Sequence, residues 1–238
     1  MKLGIIGAME VEIAMLRSKM ADLKTTNYAG GDYYEGTLKG LPVVVCRCGV
    51  GKVNAALCVQ VLRDRFSVTH VLNTGIAGAL DDTLHVCDLV VSSDAMYHDV
   101  DATGFGYAMG QVPGMDQIAF SADETLIRYA EQAAQEVSPG HVRVGRIASG
   151  DQFVSKKALK NQIIAITGGL CTEMEGAAIA HACVKNEIPF VILRAISDAA
   201  DESVSFEYFE ETAAKHCAGI VLKIAQRIHS EQSSQSPV

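Results

Sequence analysis

Continuous apolar runs alternate along this chain with amphipathic stretches, and the two patterns predict strands and helices respectively. Runs dominated by Val, Ile and Leu are typical of strands that are covered on both faces. They predict strands at Leu3–Ile6, Tyr33–Leu38, Leu41–Cys46, His70–Asn73, Asp88–Ser92, Val142–Ile147 and Phe190–Ile196. Apolar residues at helical spacing predict helices at Met9–Met20, Val53–Phe66, Ala122–Gln135, Gly176–Lys185 and Glu207–Ile228.

The order of these elements predicts an α/β fold. Only Lys39-Gly40 separates the second predicted strand from the third, which is typical of a hairpin turn, so the sheet must contain antiparallel as well as parallel strands. We expect a single-domain, three-layer α/β/α structure with a central mixed, twisted β-sheet over residues 1–229. Residues 230–238 are polar and lack periodicity, which predicts a disordered tail.

The composition narrows the classes of partner. Of the 238 residues, 49% are hydrophobic, and the formal net charge is −8. This negative charge, without a basic stripe, argues against nucleic acid as a partner. No apolar run reaches the roughly eighteen residues that a membrane span requires. The first apolar run is short and is soon followed by Glu10, so the sequence predicts a cytoplasmic protein without a signal peptide or membrane segment.

No motif indicates a metal or a cofactor. The seven cysteines lie mostly within apolar runs, which predicts reduced and buried thiols. The segment His98-Asp99-Val100-Asp101 has no matching cluster of metal ligands elsewhere, and we interpret it as a polar loop of an active site. The chain contains neither the G-x-G-x-x-G dinucleotide fingerprint nor a P-loop. We therefore expect no cofactor and no metal.

Carboxylates follow several predicted strands, at the edge where open α/β sheets bind ligands. Glu12 lies in the first turns of a helix, where an acid can also simply complement the helix dipole. Glu173 and Glu175 stand where a strand turns into a helix; they could be helix caps, but burying such a pair requires a polar ligand or a partner such as Arg194. Asp198 could be a turn residue, yet it closes an almost wholly apolar strand. Together these acids predict a pocket with acid–base chemistry.

Seven segments in order give the chain a resemblance to a known family. They are Gly4–Glu12, Gly49–Ala56, Asn73–Gly78, Tyr97–Asp101, Ser149–Phe153, Glu173–Gly176 and Arg194–Asp198. From Met1 to about Ile228 the chain closely resembles the bacterial 5′-methylthioadenosine/S-adenosylhomocysteine nucleosidases of the purine nucleoside phosphorylase superfamily. The resemblance implies a nucleoside phosphorylase-like fold, a homodimer, and hydrolysis of the N9–C1′ bond of 5′-thio-substituted adenosines in methionine salvage. The expected products are adenine and a thioribose.

The resemblance also implies roles for individual residues. Asp198 matches the general acid that protonates adenine N7, and Glu12 matches the residue that activates the attacking water. The other matched positions bind the substrate: Glu175, Met174 and Phe206 at the ribose; Phe153 and Val154 at the adenine; Arg194 and Ser197 beside the water and the acid; and Val50, with Ala102, Phe105 and Pro113 from the other subunit, at the 5′-alkylthio group. Ile76 departs from the family, because many members carry a small hydroxyl residue there that can contact the water or the ribose.

Other activities on the same fold stay open at this level. A nucleoside phosphorylase would need cationic groups to hold phosphate, and the Glu12 carboxylate would repel that anion. An aminodeoxyfutalosine nucleosidase would share the adenine and the chemistry and would differ only in the 5′ group. A non-catalytic nucleoside-binding protein would be expected to have lost an acid, whereas Glu12, Glu175 and Asp198 are all present. 5′-Deoxyadenosine is a further expected substrate of the hydrolase.

Overall fold

The computed structural model describes residues 1–201 and 206–235, except for the side chains of residues 206–209 and 235. The strands are β1 (Leu3–Gly7), β2 (Ala21–Tyr28), β3 (Gly31–Leu38), β4 (Leu41–Arg47), β5 (His70–Ala79), β6 (Leu89–Tyr97), β7 (Ala119–Ser121), β8 (Val142–Ser149), β9 (Cys171–Glu173) and β10 (Phe190–Asp198). The helices are α1 (Glu10–Ser18), α2 (Lys52–Phe66), α3 (Glu124–Val137), α4 (Lys157–Thr167), α5 (Gly176–Lys185) and α6 (Phe206–Gln235), and a 3₁₀ turn spans Thr103–Phe105.

The strands form one mixed sheet that partly closes on itself. β5, β10, β6, β8 and β9 pair in succession, and β9 returns to β5, while β1, β4, β3 and β2 extend the sheet from β5. The pairs β1–β4, β1–β5, β5–β10, β6–β8 and β8–β9 are parallel, and the other pairs are antiparallel. The predicted α/β class with a mixed sheet is confirmed. The closure depends on the short strand β9, which no periodicity could indicate.

Helices cover both faces of the sheet and create two hydrophobic cores. On one face, α2 and α5 contribute buried residues such as Leu62 and Ile179. On the other, α1, α3 and α6 contribute residues such as Leu16, Leu126 and Ile224. Each fully buried Leu or Ile stabilises the fold by roughly 1.5–3 kcal/mol relative to an exposed one. The continuous apolar runs of the central strands are therefore explained by burial on both sides, as the three-layer prediction requires.

Several element boundaries differ from the prediction for tertiary reasons. β5 continues to Ala79 instead of ending at Asn73, because its glycines pair with β10, where Arg194 is opposite Gly75 and Asp198 is opposite Gly78. The apolar pattern does not predict β2, because all residues of this strand are exposed. It does not predict β7 and β9 either, because a strand of three residues is too short to show a pattern. α4 was not predicted either, and it lacks a capping side chain that would mark its start. The hairpin at Lys39-Gly40 is confirmed, with Leu38 paired to Leu41.

Helix α6 corrects the prediction of a disordered tail from residue 230. It continues to Gln235. The hydroxyls of Ser230 and Ser234 each donate to the carbonyl four residues earlier, and the Tyr129 hydroxyl donates to Glu231 Oε2 at 2.6 Å. These polar contacts support a helical segment that apolar periodicity does not reveal. Residues 236–238 of the predicted tail lie outside the described residues. Within the described ranges, no helix is long and apolar enough to cross a membrane.

Candidate active site

A cavity of about 200 Å³ lies at the carboxyl ends of β1, β5, β8, β9 and β10. This is the edge where ligands bind in open α/β sheets. The lining comes from the last residues of these strands, the segments directly after them and the loop before α2: Ala8, Met9, Glu12, Val50, Ile76, Ala77, Gly78, Gln152, Phe153, Val154, Thr172, Glu173, Met174, Glu175, Ser197 and Asp198. Both predicted catalytic acids and most predicted binding residues therefore share one cavity.

The Glu12 carboxylate is buried in the first turn of α1 and held by backbone donors. Its Oε2 accepts hydrogen bonds from the N–H groups of Ala8 at 2.6 Å and Met9 at 3.0 Å, and its Oε1 accepts from the N–H of Ile76 at 3.1 Å. A carboxylate oxygen has two lone pairs. Oε2 is thus fully engaged, whereas Oε1 retains one acceptor position for a donor in the cavity, such as a water molecule.

Gly75 brings Glu12 into close proximity with a buried cation. A Cβ atom at Gly75 would lie 2.2 Å from Arg194 Nη1 and 2.3 Å from Glu12 Oε1, so a side chain there would collide with both. Burial raises the pKa of Glu12 above its ordinary value, although Arg194 and the three backbone N–H groups oppose that shift. Glu12 therefore takes up a proton more readily than an exposed glutamate would, which suits a general base.

Arg194 lies behind the cavity and does not line it. It is almost completely buried; its Nη2 donates to Asn73 Oδ1 at 2.6 Å and forms an ion pair with Glu173 Oε2. Glu173 also accepts hydrogen bonds from the N–H groups of Glu175 and Gly176, at the start of α5. The paired acids were expected to need a polar ligand or a partner such as Arg194, and Glu173 has Arg194 as its partner.

Glu175 lies between the end of β9 at Glu173 and the start of α5 at Gly176. Its Oε1 accepts from the Gly51 N–H at 2.8 Å, and its Oε2 lies 3.9 Å from Arg194 Nη2. Burial, together with the neighbouring Glu173, raises the pKa of Glu175 to about 7. Met174 lines the cavity beside it. The remaining lone pairs of Glu175 are free to accept hydrogen bonds from hydroxyl groups of a ligand.

Asp198 ends β10 and faces the same cavity. Its Oδ2 accepts from the Ser197 hydroxyl at 2.7 Å, and its Oδ1 accepts from the Ala200 N–H at 2.8 Å. The register of β10 against β5 shifts between Ile196 and Asp198. Such irregularities re-aim side chains near functional sites. Gly78 leaves room for the acid, since a Cβ atom there would lie 2.9 Å from Asp198 Oδ1.

The walls of the cavity are largely apolar. Val154 is buried and Phe153 is 58% exposed, and both belong to the segment after β8. Val50, in the loop before α2, is also partly exposed. Ile76 is buried and contributes its backbone N–H to Glu12, while its side chain adds no polar group. Apolar walls around a few polar groups are typical of small-molecule sites.

Some predicted residues lie elsewhere. Ala102, Phe105 and Pro113 occur between β6 and β7 and do not line the cavity of their own chain, and Phe105 is 88% exposed. The sequence analysis expects these three to complete the site of another subunit. Phe206 begins α6, and its side chain lies outside the described residues.

Sequence reasoning missed several lining residues, namely Ala8, Met9, Ala77, Gly78, Gln152 and Thr172. Most are small or neutral and carry no chemical signal; only their position at strand ends could have indicated them. Thr172 is different. Its hydroxyl is buried and has no hydrogen-bond partner within the described part of the chain, although it lines the cavity. An unpaired buried hydroxyl at such a position suits a contact with a ligand.

The chemistry available to this site is acid–base chemistry. The described lining residues include four carboxylates, from Glu12, Glu173, Glu175 and Asp198, and no Lys, Arg or His. Neither here nor elsewhere among the described residues are three His, Cys, Asp or Glu side chains grouped to hold a metal ion, and all seven cysteines are free thiols.

Comparison with known proteins identifies relatives that cover nearly the whole chain. Residues 2–226 match the family model described as the phosphorylase superfamily. A 5′-methylthioadenosine/S-adenosylhomocysteine nucleosidase from Geobacillus sp. (strain WCH70) is 45% identical over 231 residues, or 96% of this chain and 99% of the relative. The enzyme of the same name from Bacillus subtilis (strain 168) is 43% identical over 232 residues, or 96% of this chain and 100% of the relative.

Solved structures agree with these relatives. The 5′-methylthioadenosine/S-adenosylhomocysteine nucleosidase from Neisseria meningitidis, in complex with methylthio-immucillin-A, superposes with a TM-score of 0.92 at 41% identity, covering 95% of this chain and 99% of that chain. The futalosine hydrolase of Helicobacter pylori superposes with a TM-score of 0.90 at 33% identity, covering 95% of this chain and 97% of that chain.

Proposed function

The chain belongs to the 5′-methylthioadenosine/S-adenosylhomocysteine nucleosidases of the phosphorylase superfamily, which are N-glycosyl hydrolases, and from this premise we propose that it hydrolyses both of these nucleosides. The products are adenine and a 5-thio-substituted ribose, and 5′-deoxyadenosine is a further substrate. The proposal extends to a cytoplasmic enzyme of methionine salvage and S-adenosylmethionine by-product recycling. The observation that carries it is that Glu12, Glu175 and Asp198 line one cavity.

The reaction requires a proton at the base and a nucleophile at the sugar. In the proposed mechanism Asp198 donates a proton to adenine N7, and the electron pair of the C1′–N9 bond passes to the base. Water adds to C1′, and its proton goes to Glu12 Oε1, the oxygen with a free acceptor position. Each such acid–base contribution is typically worth about 10²- to 10⁴-fold in rate. Asp198 and Glu12 then return to their starting states by proton exchange with solvent.

The electrostatics of the cavity favour hydrolysis over phosphorolysis. Positive charge develops on the ribose as the glycosidic bond breaks, and the carboxylates of Glu12 and Glu175 stabilise that charge. The same carboxylates repel phosphate, which needs cationic or N–H donors. The Arg194 guanidinium is already engaged by Glu173 and Asn73 behind the cavity.

The proposal assigns the other lining residues to parts of the substrate. Glu175 accepts hydrogen bonds from the ribose hydroxyls beside Met174. Phe153 stacks on the adenine, and the backbone of Val154 reads its edge. Val50 borders the 5′ group, while Ser197 orients Asp198 through the hydrogen bond of 2.7 Å.

Aminodeoxyfutalosine is an alternative substrate. The likeness to the Helicobacter pylori futalosine hydrolase supports it, because the two chains share the fold over nearly their full lengths. The main proposal has the stronger support, since the named nucleosidases from Geobacillus and Bacillus reach 45% and 43% identity against 33% for that hydrolase.

The test is a base-release assay in phosphate-free buffer, which detects adenine from methylthioadenosine, adenosylhomocysteine, 5′-deoxyadenosine and aminodeoxyfutalosine, and hypoxanthine from inosine. We expect release from the first three, no reaction with inosine, and no change on addition of phosphate. Adenine release that depends on phosphate would establish a phosphorylase instead. Release from aminodeoxyfutalosine alone would favour the alternative substrate.

A homodimer that completes each cavity from the partner is also part of the proposal. Its support is a set of exposed apolar side chains on α2 and between β6 and β7, with Val53 71%, Leu57 56% and Phe105 88% exposed. Exposed apolar patches of this kind commonly mark interfaces, and two-fold pairing is the commonest closure.

Mixing two impaired variants tests this arrangement. In this arrangement Phe105→Ala damages the cavity of the partner subunit, whereas Asp198→Asn damages the cavity of the subunit that carries it. A mixed dimer would therefore contain one intact cavity, and re-assembly of the mixture should restore about a quarter of wild-type activity if pairing is random. An active monomer in sedimentation, or no recovery on mixing despite exchange of subunits, would contradict the proposal.

A further inference from the structure

Three charged residues outside the cavity join three separate segments of the chain. Lys52 begins α2, Asp99 follows β6 and Asp151 follows β8. The Lys52 ammonium lies 2.8 Å and 2.7 Å from the two carboxylate oxygens of Asp99, and 3.6 Å from Asp151 Oδ2. The backbone takes part as well, since the Lys52 N–H donates to Asp151 Oδ1 and the Asp151 N–H donates to Asp99 Oδ2, both at 2.9 Å. We call Lys52, Asp99 and Asp151 the clasp.

The clasp is more than an exposed ion pair. The side chains of Lys52 and Asp99 are only 22% and 15% exposed, and the ammonium lies 5.3 Å from the centre of the Tyr97 ring. Burial alone would raise the pKa of Asp99, but Lys52 and the Asp151 N–H hold it below its ordinary value. Asp99 is therefore ionised at neutral pH, and the partial burial of Lys52 and Asp99 limits the screening of their ion pair by salt.

Two of the three segments that the clasp joins, those of Lys52 and Asp151, continue directly into the active site. Gly51, next to Lys52, donates its N–H to Glu175 Oε1 at 2.8 Å. Gln152 and Phe153, next to Asp151, line the cavity. The preceding loop needs such an anchor, because Gly49 and Gly51 have φ values of 87° and 100° and no side chains that could fix the direction of the Gly51 N–H. The bond from the Lys52 N–H to Asp151 Oδ1 fixes the backbone directly after Gly51.

We propose that Lys52, Asp99 and Asp151 are positioning residues, which hold the Gly51 N–H on Glu175 and set the segment that carries Phe153. The inference rests on the proposed function, in which Glu175 binds the ribose hydroxyls. Loss of the clasp lets the Gly51 N–H move away, so that Glu175 loses its backbone donor and its orientation toward the sugar. None of the three residues contacts the substrate itself.

The test compares substrates with and without the sugar hydroxyl that Glu175 binds. Lys52→Met keeps the aliphatic stem and removes the charge. We expect it to lower kcat/KM for methylthioadenosine by about tenfold to 10²-fold, the effect of a misplacement near 1 Å. The loss of kcat/KM caused by Lys52→Met should be smaller for the 3′-deoxy analogue and in a Glu175→Gln background. In both cases the contact that the clasp orients is already missing, and the effects of interacting groups are not additive. Lys52→Arg should recover most of the activity.

A pH profile provides a second readout. Glu175 is surrounded by Glu173, Arg194, Glu12 and the Gly51 N–H, and this N–H lowers its pKa. If Lys52→Met displaces that donor, the pKa of Glu175 rises. The acidic limb of the pH profile of kcat/KM should therefore move to higher pH in this variant. A residue that only stabilised the fold would leave this limb unchanged.

The controls separate the possible failures. Lys223→Met removes an exposed ion pair with Glu136 and should behave like the wild type. Asp99→Asn, which retains the shape of the side chain, repeats the test if Lys52→Met does not fold. A wild type that releases no adenine would refute the proposed function itself. An active wild type with unchanged kcat/KM in the variants, or with equal losses on both substrates, would overturn the clasp.

Discussion

Replacing Gly75 by alanine tests whether the active site depends on the close approach of Glu12 and Arg194 to this glycine. The added Cβ would lie 2.2 Å from Arg194 Nη1, 2.3 Å from Glu12 Oε1 and 2.9 Å from Glu12 Cδ. Ordinary non-bonded contacts begin near 3.5 Å, so each group must retreat by about 1 Å. Neither moves freely, because Glu12 is bound to three backbone N–H groups and Arg194 to Asn73 and Glu173.

The expected effect on activity exceeds the effect on folding. Overpacking in a well-packed interior costs about 1–3 kcal/mol, which is less than the 5–15 kcal/mol that typically stabilises a domain. The variant should therefore fold. A displacement near 1 Å of a catalytic group can lower the rate by about 10²-fold. Glu12 is the proposed base, and the added methyl group also pushes Arg194 away from it. We therefore expect kcat/KM to fall by at least about 10²-fold.

The measurement is adenine release from methylthioadenosine together with thermal unfolding. Gly219→Ala is a matched control, because nothing lies within 4 Å of the added Cβ and the residue is inside α6. It should leave activity unchanged and stabilise the protein by roughly 0.5–1 kcal/mol, the gain of alanine over glycine in a helix. A folded Gly75→Ala variant with near-wild-type kcat/KM would refute the reasoning.

Four further outcomes are expected. Asp198→Asn should lower kcat at least about 10²-fold while an adenine analogue still binds in calorimetry, because the amide cannot protonate N7. The pKa values of Glu12 and Glu175 are raised, and both groups must be ionised for activity. As the pH drops, kcat/KM should therefore fall at a higher pH than ordinary carboxyl groups would cause. Glu175→Gln should move this acidic limb of the pH profile to lower pH. Thr172→Val should melt no lower than the wild type, because its hydroxyl has no partner among the described residues, and a lower melting temperature would reveal one. Methylthioinosine should react about 10²- to 10⁴-fold more slowly than methylthioadenosine if the Val154 backbone reads the base edge, since two unpaired polar groups cost roughly 1–3 kcal/mol each.

The limits of sequence reasoning are clear at the paired acids. The sequence indicated that Glu173 and Glu175 could not both be buried without polar partners, and it named Arg194 as one. It could not say which acid takes Arg194, because that depends on the end of β9 at Glu173 and on the turn into α5. The end of a three-residue strand is decided by its neighbours in the sheet, β5 and β8, and leaves no periodic signal.

The sequence by itself determined the α/β class and the approximate position of most strands and helices, because burial on both faces is a local pattern. It also marked Glu12, Glu175 and Asp198 as candidate site residues, through charge near strand ends and the family resemblance. Only the tertiary structure decided the closure of the sheet, the extension of β5 through Gly75 and Gly78, and the helix beyond residue 230. These features depend on contacts between segments far apart in the chain. A glycine needed so that Arg194 can approach Glu12 looks, in sequence, the same as one in a turn.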